Sequence, residues 1–189
     1  MTATEDIRIA DRFAIEQALL RYCRGVDRKQ WDLVRSAYHP DAYDDHGNYK
    51  GAVDGFVASV IKRHETIEQS THAISNIQIE FAGPDTALVE TYFIVHQRHA
   101  PGDVTAYASF VRGPMPTAEQ ALEVETVGRY VDRFTRRDGA WKIARRVVVF
   151  EVYRAQAAPA GGGLLRNWAI ARRDGSDALD VARREAGLG

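Results

Sequence analysis

The stretch RFTRRDGAWKIARR, residues 133–146, contains a tight turn between two strand-like runs and anchors the predicted sheet. Asp138 and Gly139 both tolerate positive φ, and an Asp-Gly pair between apolar runs is a strong hairpin signal. The flanking runs, LEVETVGRYVDRFTRR at 122–137 and WKIARRVVVFEVYR at 141–154, are rich in β-branched and aromatic residues. We therefore predict an antiparallel pair of long strands.

Three further runs with strand composition precede this hairpin and extend the predicted sheet. They are THAISNIQIEFAG at 71–83, TALVETYFIVHQR at 86–98 and VTAYASFVR at 104–112. DAYDDHGNYKG at 41–51 indicates a shorter strand and a turn, and GPMPTAEQA at 113–121 indicates a surface loop. The sheet is therefore expected to consist mainly of antiparallel neighbours.

The first third of the chain has helical periodicity. Between residues 7 and 27, one stripe of a helix carries four apolar side chains: Ile15, Leu19, Tyr22 and Val26. LVRSAY at 33–38 predicts a short second helix that ends before Pro40, and 51–67 predicts a third. Helices followed by strands indicate an α+β fold, in which a strongly curved sheet closed by three N-terminal helices forms a cone-shaped barrel with one open mouth.

Length and composition allow one core of ordinary size. The 189 residues, 45% of them apolar, predict a single α+β barrel domain at 1–155. Linker-like composition and a weak helical pattern at 177–187 predict a linker and C-terminal extension at 156–189. This extension is expected to reach the mouth of a pocket, because three of its residues are too apolar for a free end: Leu164, Leu165 and Trp168.

Charge and cysteine content exclude several classes of partner. The chain has 25 Lys and Arg against 26 Asp and Glu, so it has no excess positive charge to attract nucleic acid. No run approaches the roughly 18 apolar residues of a membrane span, and the charged N-terminus lacks the apolar core of a signal peptide. Cys23 is the only cysteine, which excludes an internal disulfide. We expect a cytoplasmic protein.

Two residues near the end of the first helix are candidate site residues. Tyr22 lies within the apolar stripe, either as a core tyrosine with a bonded hydroxyl or as a donor inside a pocket. Asp27 follows one turn later, where an aspartate weakens a helix interior. It is either a solvated turn residue or a carboxylate that faces the same pocket as Tyr22.

The six histidines differ in what their positions allow. His96 and His99 are three apart in a predicted strand, so they point to opposite faces and cannot bind one metal ion. His46 suits either a ligand or a polar turn, whereas His72 opens a strand where its imidazole can face a pocket. Packing or surface roles are expected for the remaining two, His39 and His64. The sequence contains no Walker loop, Rossmann glycine pattern, nucleophile elbow or HExxH motif, and we expect no metal site.

The last predicted strand places an arginine on an apolar face. Period-2 alternation groups Arg146 with four apolar residues, Ala144, Val148, Phe150 and Val152. A charge on such a face needs a partner, and Asp27 is a candidate. The opposite face carries an apolar row that the helices cannot cover, formed by Ile143, Val147 and Val149. Such an uncovered row predicts a homo-oligomer.

Three segments together resemble the SnoaL-like branch of the nuclear-transport-factor-like superfamily, over about residues 7–154. They are RYCRGVDRKQWDLVRSAYHPDAYDDHGNYKG at 21–51, STHAISNIQIEF at 70–81 and RFTRRDGAWKIARR at 133–146. The resemblance is strongest to the lyase members, namely hexachlorocyclohexane dehydrochlorinase, scytalone dehydratase and bile acid 7α-dehydratase. It implies the cystatin-like cone fold and favours a trimer over a dimer. The 113–121 loop and the extension have no counterpart in these members, so the substrate does not transfer.

The resemblance also implies an active site. The aspartate of a Gly-Val-Asp triplet orients a histidine base in the dehydrochlorinase, which here implies Asp27 and His72. An arginine five residues after the hairpin tryptophan implies Arg146, which would hold Asp27 ionised. A tyrosine five residues before the aspartate, as in the bile acid enzyme, implies Tyr22 as a donor to a developing oxyanion. Substrate-binding wall positions fall on Tyr43, Thr126 and Tyr130.

The implied function is that of a cofactor-independent carbon-oxygen or carbon-carbon lyase. His72 would remove a carbon-bound proton, and water or formaldehyde would leave a hydrophobic, aromatic or polycyclic substrate such as a lignin-derived diaryl compound. Two alternatives remain. One is an isomerase or cyclase of steroid or polyketide type that uses the same dyad, and the other is a noncatalytic β subunit of a ring-hydroxylating dioxygenase.

Overall fold

The computed structural model describes residues 3–114, 116–159 and 168–188, with side chains from residue 8 onward. Its helices are α1 (Ala3–Asp27), α2 (Trp31–Ser36), α3 (Val53–Arg63), α4 (Val104–Phe110) and α5 (Ala178–Glu185). Its strands are β1 (Tyr38–Asp45), β2 (Lys50–Ala52), β3 (Ile67–Phe81), β4 (Thr86–His99), β5 (Ala121–Arg137) and β6 (Ala140–Ala158). Three N-terminal helices and a curved sheet confirm the predicted α+β fold.

The strands of the described segments form one mixed sheet in the order β2-β1-β6-β5-β4-β3. Strands β1 and β6 run parallel, and the other neighbours are antiparallel. The turn between β5 and β6 has positive φ at both Asp138 (51°) and Gly139 (77°). Positive φ at both central residues is the conformation of a type I′ hairpin turn, so the predicted hairpin is confirmed.

Helix α1 packs on the concave face of the sheet through the stripe predicted from its sequence, and all four of its side chains are buried: Ile15, Leu19, Tyr22 and Val26. Helix α2 lies close against the end of α1, where a Cβ at Gly25 would be 2.7 Å from Cγ2 of Val34. Any side chain at Gly25 would therefore push the helices apart. This contact fixes the end of α1, where Asp27 lies.

The prediction of a strand at 104–112 is wrong, because the segment contains helix α4. The Asp103 side chain caps this helix by accepting a hydrogen bond from the Ala106 amide at 3.0 Å. The aromatic side chain of Tyr107, which had suggested a strand, instead packs against Leu122 of β5. Capping and tertiary contact here outweigh strand propensity.

Two register shifts between β5 and β6 change the faces predicted for β6. Each shift is a bulge, and a bulge reverses the alternation of side chains. The first puts Ile143 in the core, where it is fully buried, so it does not belong to the second apolar face. Phe150 shares the concave face with Arg146, as predicted, whereas the second shift adds Tyr153 to that face and turns Val152 away.

The element ends differ slightly from the predicted ones. Helix α2 ends at Ser36, and Pro40 lies inside strand β1 rather than at a helix end. Strand β6 continues to Ala158, beyond the domain boundary predicted at 155. Helix α5 confirms the predicted terminal helix. None of the helices in the described segments is long and apolar enough to cross a membrane.

Candidate active site

The last turns of α1 place two polar side chains on the concave side of the sheet. Tyr22 points inward from the buried stripe and is 2% exposed. Asp27 is the last residue of the helix, and its side chain is 14% exposed. The helix therefore buries a tyrosine hydroxyl and, one turn later, presents a carboxylate closer to solvent.

Strand β3 supplies the hydrogen-bond partners of Asp27. Nδ1 of His72 lies 2.6 Å from Oδ1 of Asp27, and the amide of His72 donates to Oδ2 at 2.8 Å. The hydroxyl of Ser70 donates to Oδ1 at 2.9 Å. Three contacts from one strand fix the carboxylate against the imidazole. The structure thus brings Asp27 and His72 together across 45 positions of sequence.

The charge state of Asp27 determines the tautomer of His72. Burial raises the pKa of Asp27, but hydrogen bonds from His72 and Ser70 outweigh burial, and the pKa lies below its ordinary value. An ionised carboxylate only accepts hydrogen bonds, so Nδ1 of His72 carries the hydrogen and Nε2 of the neutral ring keeps a free lone pair. A carboxylate-held imidazole in this tautomer can act as a general base.

Arg146 is fully buried and pairs with Asp132 of β5. Its Nε and Nη2 donate to the two carboxylate oxygens of Asp132 at 2.8 and 2.6 Å. The prediction that Arg146 pairs with Asp27 is therefore wrong, because the strand register places Arg146 directly beside Asp132. Burial opposes the charge of Arg146, but Asp132 outweighs burial and raises the pKa of the guanidinium.

The guanidinium of Arg146 lies among three tyrosine rings. Its Cζ is 4.0 Å from the ring centroid of Tyr130, 4.3 Å from that of Tyr22 and 5.7 Å from that of Tyr38. These distances allow cation–π attraction. Burial raises the pKa of Tyr22, and the charge of Arg146 opposes this rise. The edge of the Tyr22 ring also faces the His72 ring, at a centroid distance of 6.2 Å. Arg146 is therefore connected to His72 through the Tyr22 ring.

A second Asp–His pair lies on the other side of Tyr22. The Tyr22 hydroxyl is 3.2 Å from Nε2 of His46. Nδ1 of the same ring is in close contact with Oδ1 of Asp44, and Oδ2 of Asp44 accepts a hydrogen bond from the Tyr38 hydroxyl at 2.7 Å. The His46 ring stacks on Phe56 with a centroid distance of 4.2 Å. Together, Tyr22, His46 and Asp44 form a continuous hydrogen-bonded chain.

Sequence reasoning did not place Asp44 in the site and left His46 open between a ligand and a polar turn. One signal was available: Asp44 and His46 are two residues apart at the end of a strand, a spacing that puts both side chains on one face. Burial lowers the pKa of His46, although Asp44 opposes the shift. The imidazole of His46 is therefore disposed to be neutral.

The register of the strands aligns four side chains in a row on the concave face, and the row begins at the Asp27–His72 pair. The row runs from His72 to Val95, Thr126 and Tyr153 across β3, β4, β5 and β6. Thr126, a residue expected in the pocket wall, lies in this row. Tyr153 is 47% exposed and Phe150 is 54% exposed. Two exposed aromatic rings give this end of the concave face an apolar wall.

The other two expected wall residues, Tyr130 and Tyr43, lie outside this row. Tyr130 is buried on the concave face and stacks on Phe93 with a centroid distance of 4.5 Å. Tyr43 precedes Asp44 in β1, so strand alternation turns it to the opposite face. There its ring lies 4.7 Å from Cζ of Arg145. The structure does not bring Tyr43 to the cluster.

Two open clefts lie away from the dyad. One, of about 520 Å³, is lined by α1 and α5, and the other, of about 330 Å³, adjoins residues 171–174. Neither lining includes Asp27 or His72. Size alone does not identify a site of chemistry, whereas paired titratable groups in fixed geometry do. We therefore place the candidate active site on the concave face.

The C-terminal extension contacts the back of the dyad through Arg173. Its Nε donates to the carbonyl of Asp27 at 2.7 Å, and Nη2 donates to that of Val26 at 2.9 Å. Nη1 donates to the carbonyl of Ile67 at 2.7 Å, and Nη2 also lies 2.6 Å from Nδ1 of His64. These contacts cap the last carbonyls of α1 and join them to the start of β3.

No sequence signal pointed to Arg173. The extension was expected to approach a pocket through apolar residues, but Leu164 and Leu165 lie outside the described residues, and Trp168 is 59% exposed. Arg173 instead reaches a buried histidine. Burial, together with the charges of nearby arginines, lowers the pKa of His64 to about 2, so Nδ1 of His64 is available to accept from Arg173.

Comparison with known proteins finds one family and several relatives. A family model described as a SnoaL-like domain matches residues 8–147. Hexachlorocyclohexane dehydrochlorinase 1 of Sphingobium indicum is 29% identical over 146 residues, which cover 73% of this chain and 80% of that protein. An uncharacterised protein of Mycobacterium tuberculosis is 30% identical over 140 residues, which cover 74% of this chain and 84% of that protein.

Solved structures share the fold. A proposed scytalone dehydratase from Novosphingobium aromaticivorans superposes with a TM-score of 0.63 at 20% identity, over 85% of this chain and 99% of that chain. At this identity, the likeness concerns the cone fold. Arg173 and helix α5 lie beyond the residues that the family model matches.

Proposed function

The chain belongs to the SnoaL-like domain family, and from that premise we propose that it is a cofactor-independent lyase. The reaction removes a proton and expels water or formaldehyde from a hydrophobic aromatic or polycyclic substrate. The Asp27–His72 pair on the concave face carries the proposal. The name of one relative, a dehydrochlorinase, supports a reaction of the elimination type.

His72 is the proposed base. For loss of water, its Nε2 lone pair takes a carbon-bound proton, the electrons of the C–H bond form the new double bond, and the leaving group departs with the electrons of its own bond. For loss of formaldehyde, the lone pair takes the hydroxyl proton of a hydroxymethyl group, the O–H electrons form the C=O bond of formaldehyde, and the electrons of the broken C–C bond stay on the substrate. Asp27 holds the Nδ1 hydrogen and stabilises the imidazolium as it forms. The hydrogen bonds from Ser70 and from the His72 amide keep Asp27 in place during this change of charge.

The surroundings of the dyad suit a ring substrate with a polar substituent. Phe150 and Tyr153 form the proposed apolar wall, and aromatic side chains favour flat apolar partners. Tyr22 is the proposed polar contact. The positive charge of Arg146, 4.3 Å from the Tyr22 ring, favours negative charge developing near the Tyr22 hydroxyl.

Purified protein without added cofactor should be screened against lignin-derived dimers, hydroxysteroids and polyketide-like rings. We expect either a product that is lighter by the mass of water and carries a new double bond, or a product that is lighter by the mass of formaldehyde, and we expect His72→Ala to abolish it. His96→Ala is the control, because the His96 side chain is 63% exposed and pairs with Glu125. No turnover across the screen, or equal turnover by His72→Ala, would contradict the proposal.

The alternatives give different outcomes in the same screen. An isomerase or cyclase would use the dyad but return a product of unchanged mass. A noncatalytic β subunit of a ring-hydroxylating dioxygenase would give no turnover alone and would need no base. Product mass therefore separates the lyase from both alternatives.

We also propose a homo-oligomer, a trimer before a dimer. On the outer face of the sheet, Ile94 and Val152 are 43% and 47% exposed, and the register joins them through Val127. Such an apolar row favours burial against another chain. Sedimentation at micromolar concentration should give a species larger than the monomer, and a monomer alone would contradict this.

A further inference from the structure

The hydrogen-bonded chain Tyr22–His46–Asp44 is a second titratable cluster, and the elimination described above gives His46 and Asp44 no role. We propose that this cluster is a second base, which accepts a proton from a substrate hydroxyl conjugated with the reacting carbon, as in a phenol. The inference rests on the proposed lyase function and adds to it the class of substrate.

The directions of the hydrogen bonds follow from Asp44. Its side chain is fully buried, and its Oδ2 already accepts from the Tyr38 hydroxyl at 2.7 Å. Oδ1 therefore accepts from Nδ1 of His46, which must carry the hydrogen. Nε2 of the neutral ring is then an acceptor, and the Tyr22 hydroxyl, 3.2 Å away, is its donor. The Tyr22 oxygen keeps its lone pairs for a donor from the substrate.

This direction reverses the role expected for Tyr22 from the sequence. A hydroxyl whose hydrogen is committed to His46 cannot at the same time donate to an oxyanion. The order hydroxyl, imidazole, carboxylate is the order in which a base activates a hydroxyl. Tyr22 is thus the point at which a substrate proton enters, and His46 is the group that stores it.

The charges that face His46 support this direction. They come from four elements: Asp44 on β1, Tyr22 on α1, Arg63 on α3 and Arg146 on β6. Burial lowers the pKa of His46, the two arginines lower it further, and Asp44 opposes them. The ring is therefore neutral, and its Nε2 lone pair is available as an acceptor. The same arginines oppose, without cancelling, the rise that burial causes in the pKa of Tyr22.

The proton transfers balance for a phenol that carries a leaving group on its benzylic carbon. The phenol O–H bond breaks, an O–H bond forms on Tyr22, and the original Tyr22 proton forms the Nε2–H bond of His46. The electron pair left on the phenol oxygen forms C=O, the ring electrons shift, and the leaving group departs with the electrons of its bond. The product of this first step is a quinone methide.

The second step uses the first base. His72 takes the proton from the adjacent carbon, the C–H electrons form the side-chain double bond, and the ring regains its aromatic electrons. The phenolate then recovers a proton from His46 through Tyr22. The Tyr22 ring edge meets the His72 ring at 6.2 Å and 83°, so the two bases lie side by side. Each base thus removes one acidic hydrogen of the substrate: His46 takes the one on oxygen through Tyr22, and His72 takes the one on carbon.

The test uses 4-nitrophenol, whose absorbance near 400 nm reports ionisation without any turnover. We expect wild-type protein to bind the dye and to lower its apparent pKa relative to free dye, because the proton passes to His46. His46→Gln should bind neutral dye and lose this shift, since glutamine accepts a hydrogen bond from Tyr22 but cannot take the proton. Failure of wild-type protein to bind the dye, or the same titration in both proteins, would overturn the inference.

Two variants separate this role from packing. His39→Gln is the matched control, because His39 is also buried but bonds to the carbonyl of Thr135 at 2.9 Å, outside the cluster, and it should titrate the dye like wild type. Asp44→Asn removes the charge with little change of shape and should also lose the shift. Circular dichroism must show native folding in each variant. If His46→Gln fails to fold, the dye titration of Asp44→Asn replaces it: loss of the pKa shift would support the inference, and the wild-type shift would overturn it.

Turnover distinguishes failure of this inference from failure of the lyase proposal. On a phenolic substrate from the screen, His46→Gln should lower kcat about 10²-fold, as loss of a general base does, and wild-type protein should turn over the methyl ether, which cannot form a quinone methide, much more slowly than the phenol. Equal turnover of the phenol and its methyl ether by wild-type protein would overturn the relay while leaving the lyase intact. A dye shift without turnover of any substrate would support the relay and reject the lyase.

Discussion

The two Asp–His pairs use the same residue types but are assembled in different ways. Asp27 and His72 are 45 positions apart and meet only because α1 ends beside β3. Asp44 and His46 are two positions apart, so their contact depends only on the local conformation at the end of β1. The Asp27 side chain is 14% exposed and that of Asp44 is fully buried. A pair assembled from distant residues thus lies nearer to solvent, while a pair assembled locally is more deeply buried and bonds to the Tyr22 hydroxyl.

Asp132 is a third buried or partly buried carboxylate, and it differs from Asp27 and Asp44 because its partner is a buried arginine rather than a histidine. Asp132→Asn would leave the charge of Arg146 buried without compensation, and loss of one partner of such a pair destabilises a protein by about 3–5 kcal/mol. We expect a loss of this size in chemical unfolding, the largest effect among our predictions. Asp41→Asn, at an exposed pair with Arg137, is the control and should change stability little. Equal stability of the two variants would show that the Asp132 pair is not structural.

His64 extends the comparison to a buried histidine whose polar neighbours include arginine rather than aspartate. Its pKa of about 2 in the fold lies below the ordinary value, so the unfolded chain binds the proton first as pH falls. Its contribution to stability is complete above about pH 6.5 and is lost at lower pH, by up to about 1.4 kcal/mol per pH unit. Unfolding measured between pH 7 and pH 4 should show this loss.

The same experiment with two variants assigns the loss to one ring. His64→Gln should reduce the slope of unfolding free energy against pH, because it removes the titrating group. His96→Gln, at an exposed histidine, should keep the wild-type slope. An unchanged slope in His64→Gln would mean that other groups cause the acid instability.

Arg173 tests how far the long-range pair depends on the C-terminal extension. Arg173→Ala removes four contacts at the end of α1 and the start of β3. We expect turnover to fall about tenfold, less than the roughly 10²-fold that a 1 Å misplacement of a reacting group can cause. Deletion of residues 160–189 should have a similar effect, and Arg173→Lys should recover part of the activity.

Arg172→Ala is the matched control for Arg173, since Arg172 is exposed and next in sequence. Its turnover should equal that of wild type. A tenfold loss in Arg173→Ala at an unchanged melting temperature would assign Arg173 a positioning role. Equal turnover of the two variants would show that the extension does not position the dyad.

Local patterns predicted much of this molecule. The Asp-Gly turn at 138–139 and the stripe through Tyr22 depend on short-range spacing, and both appear in the structure. The segment 104–112 was misread because capping by Asp103 and burial on β5 are absent from strand propensity. Bulges moved Ile143 and Tyr153 to other faces, since one extra residue reverses every side chain after it.

The candidate site was only partly predictable for a related reason. Pairing of Arg146 with Asp132 depends on the register of two strands, which alternation alone does not give. The position of Arg173 depends on how a distant extension folds back. Asp27 and His72 were candidates from their positions in the sequence, their pairing was implied by resemblance to a family, and the fold places them in contact. Geometry gives their arrangement, and their chemical role is still a proposal.

The central claim is that Asp27 orients His72 as a base, and one set of kinetic measurements tests it most directly. Turnover and melting temperature should be measured for Asp27→Asn, His72→Ala and the double variant on the substrate found by the screen. We predict a loss of about 10²-fold to 10⁴-fold for each single variant, little further loss in the double variant, and little change in melting temperature. Near-normal turnover by Asp27→Asn would contradict the claim.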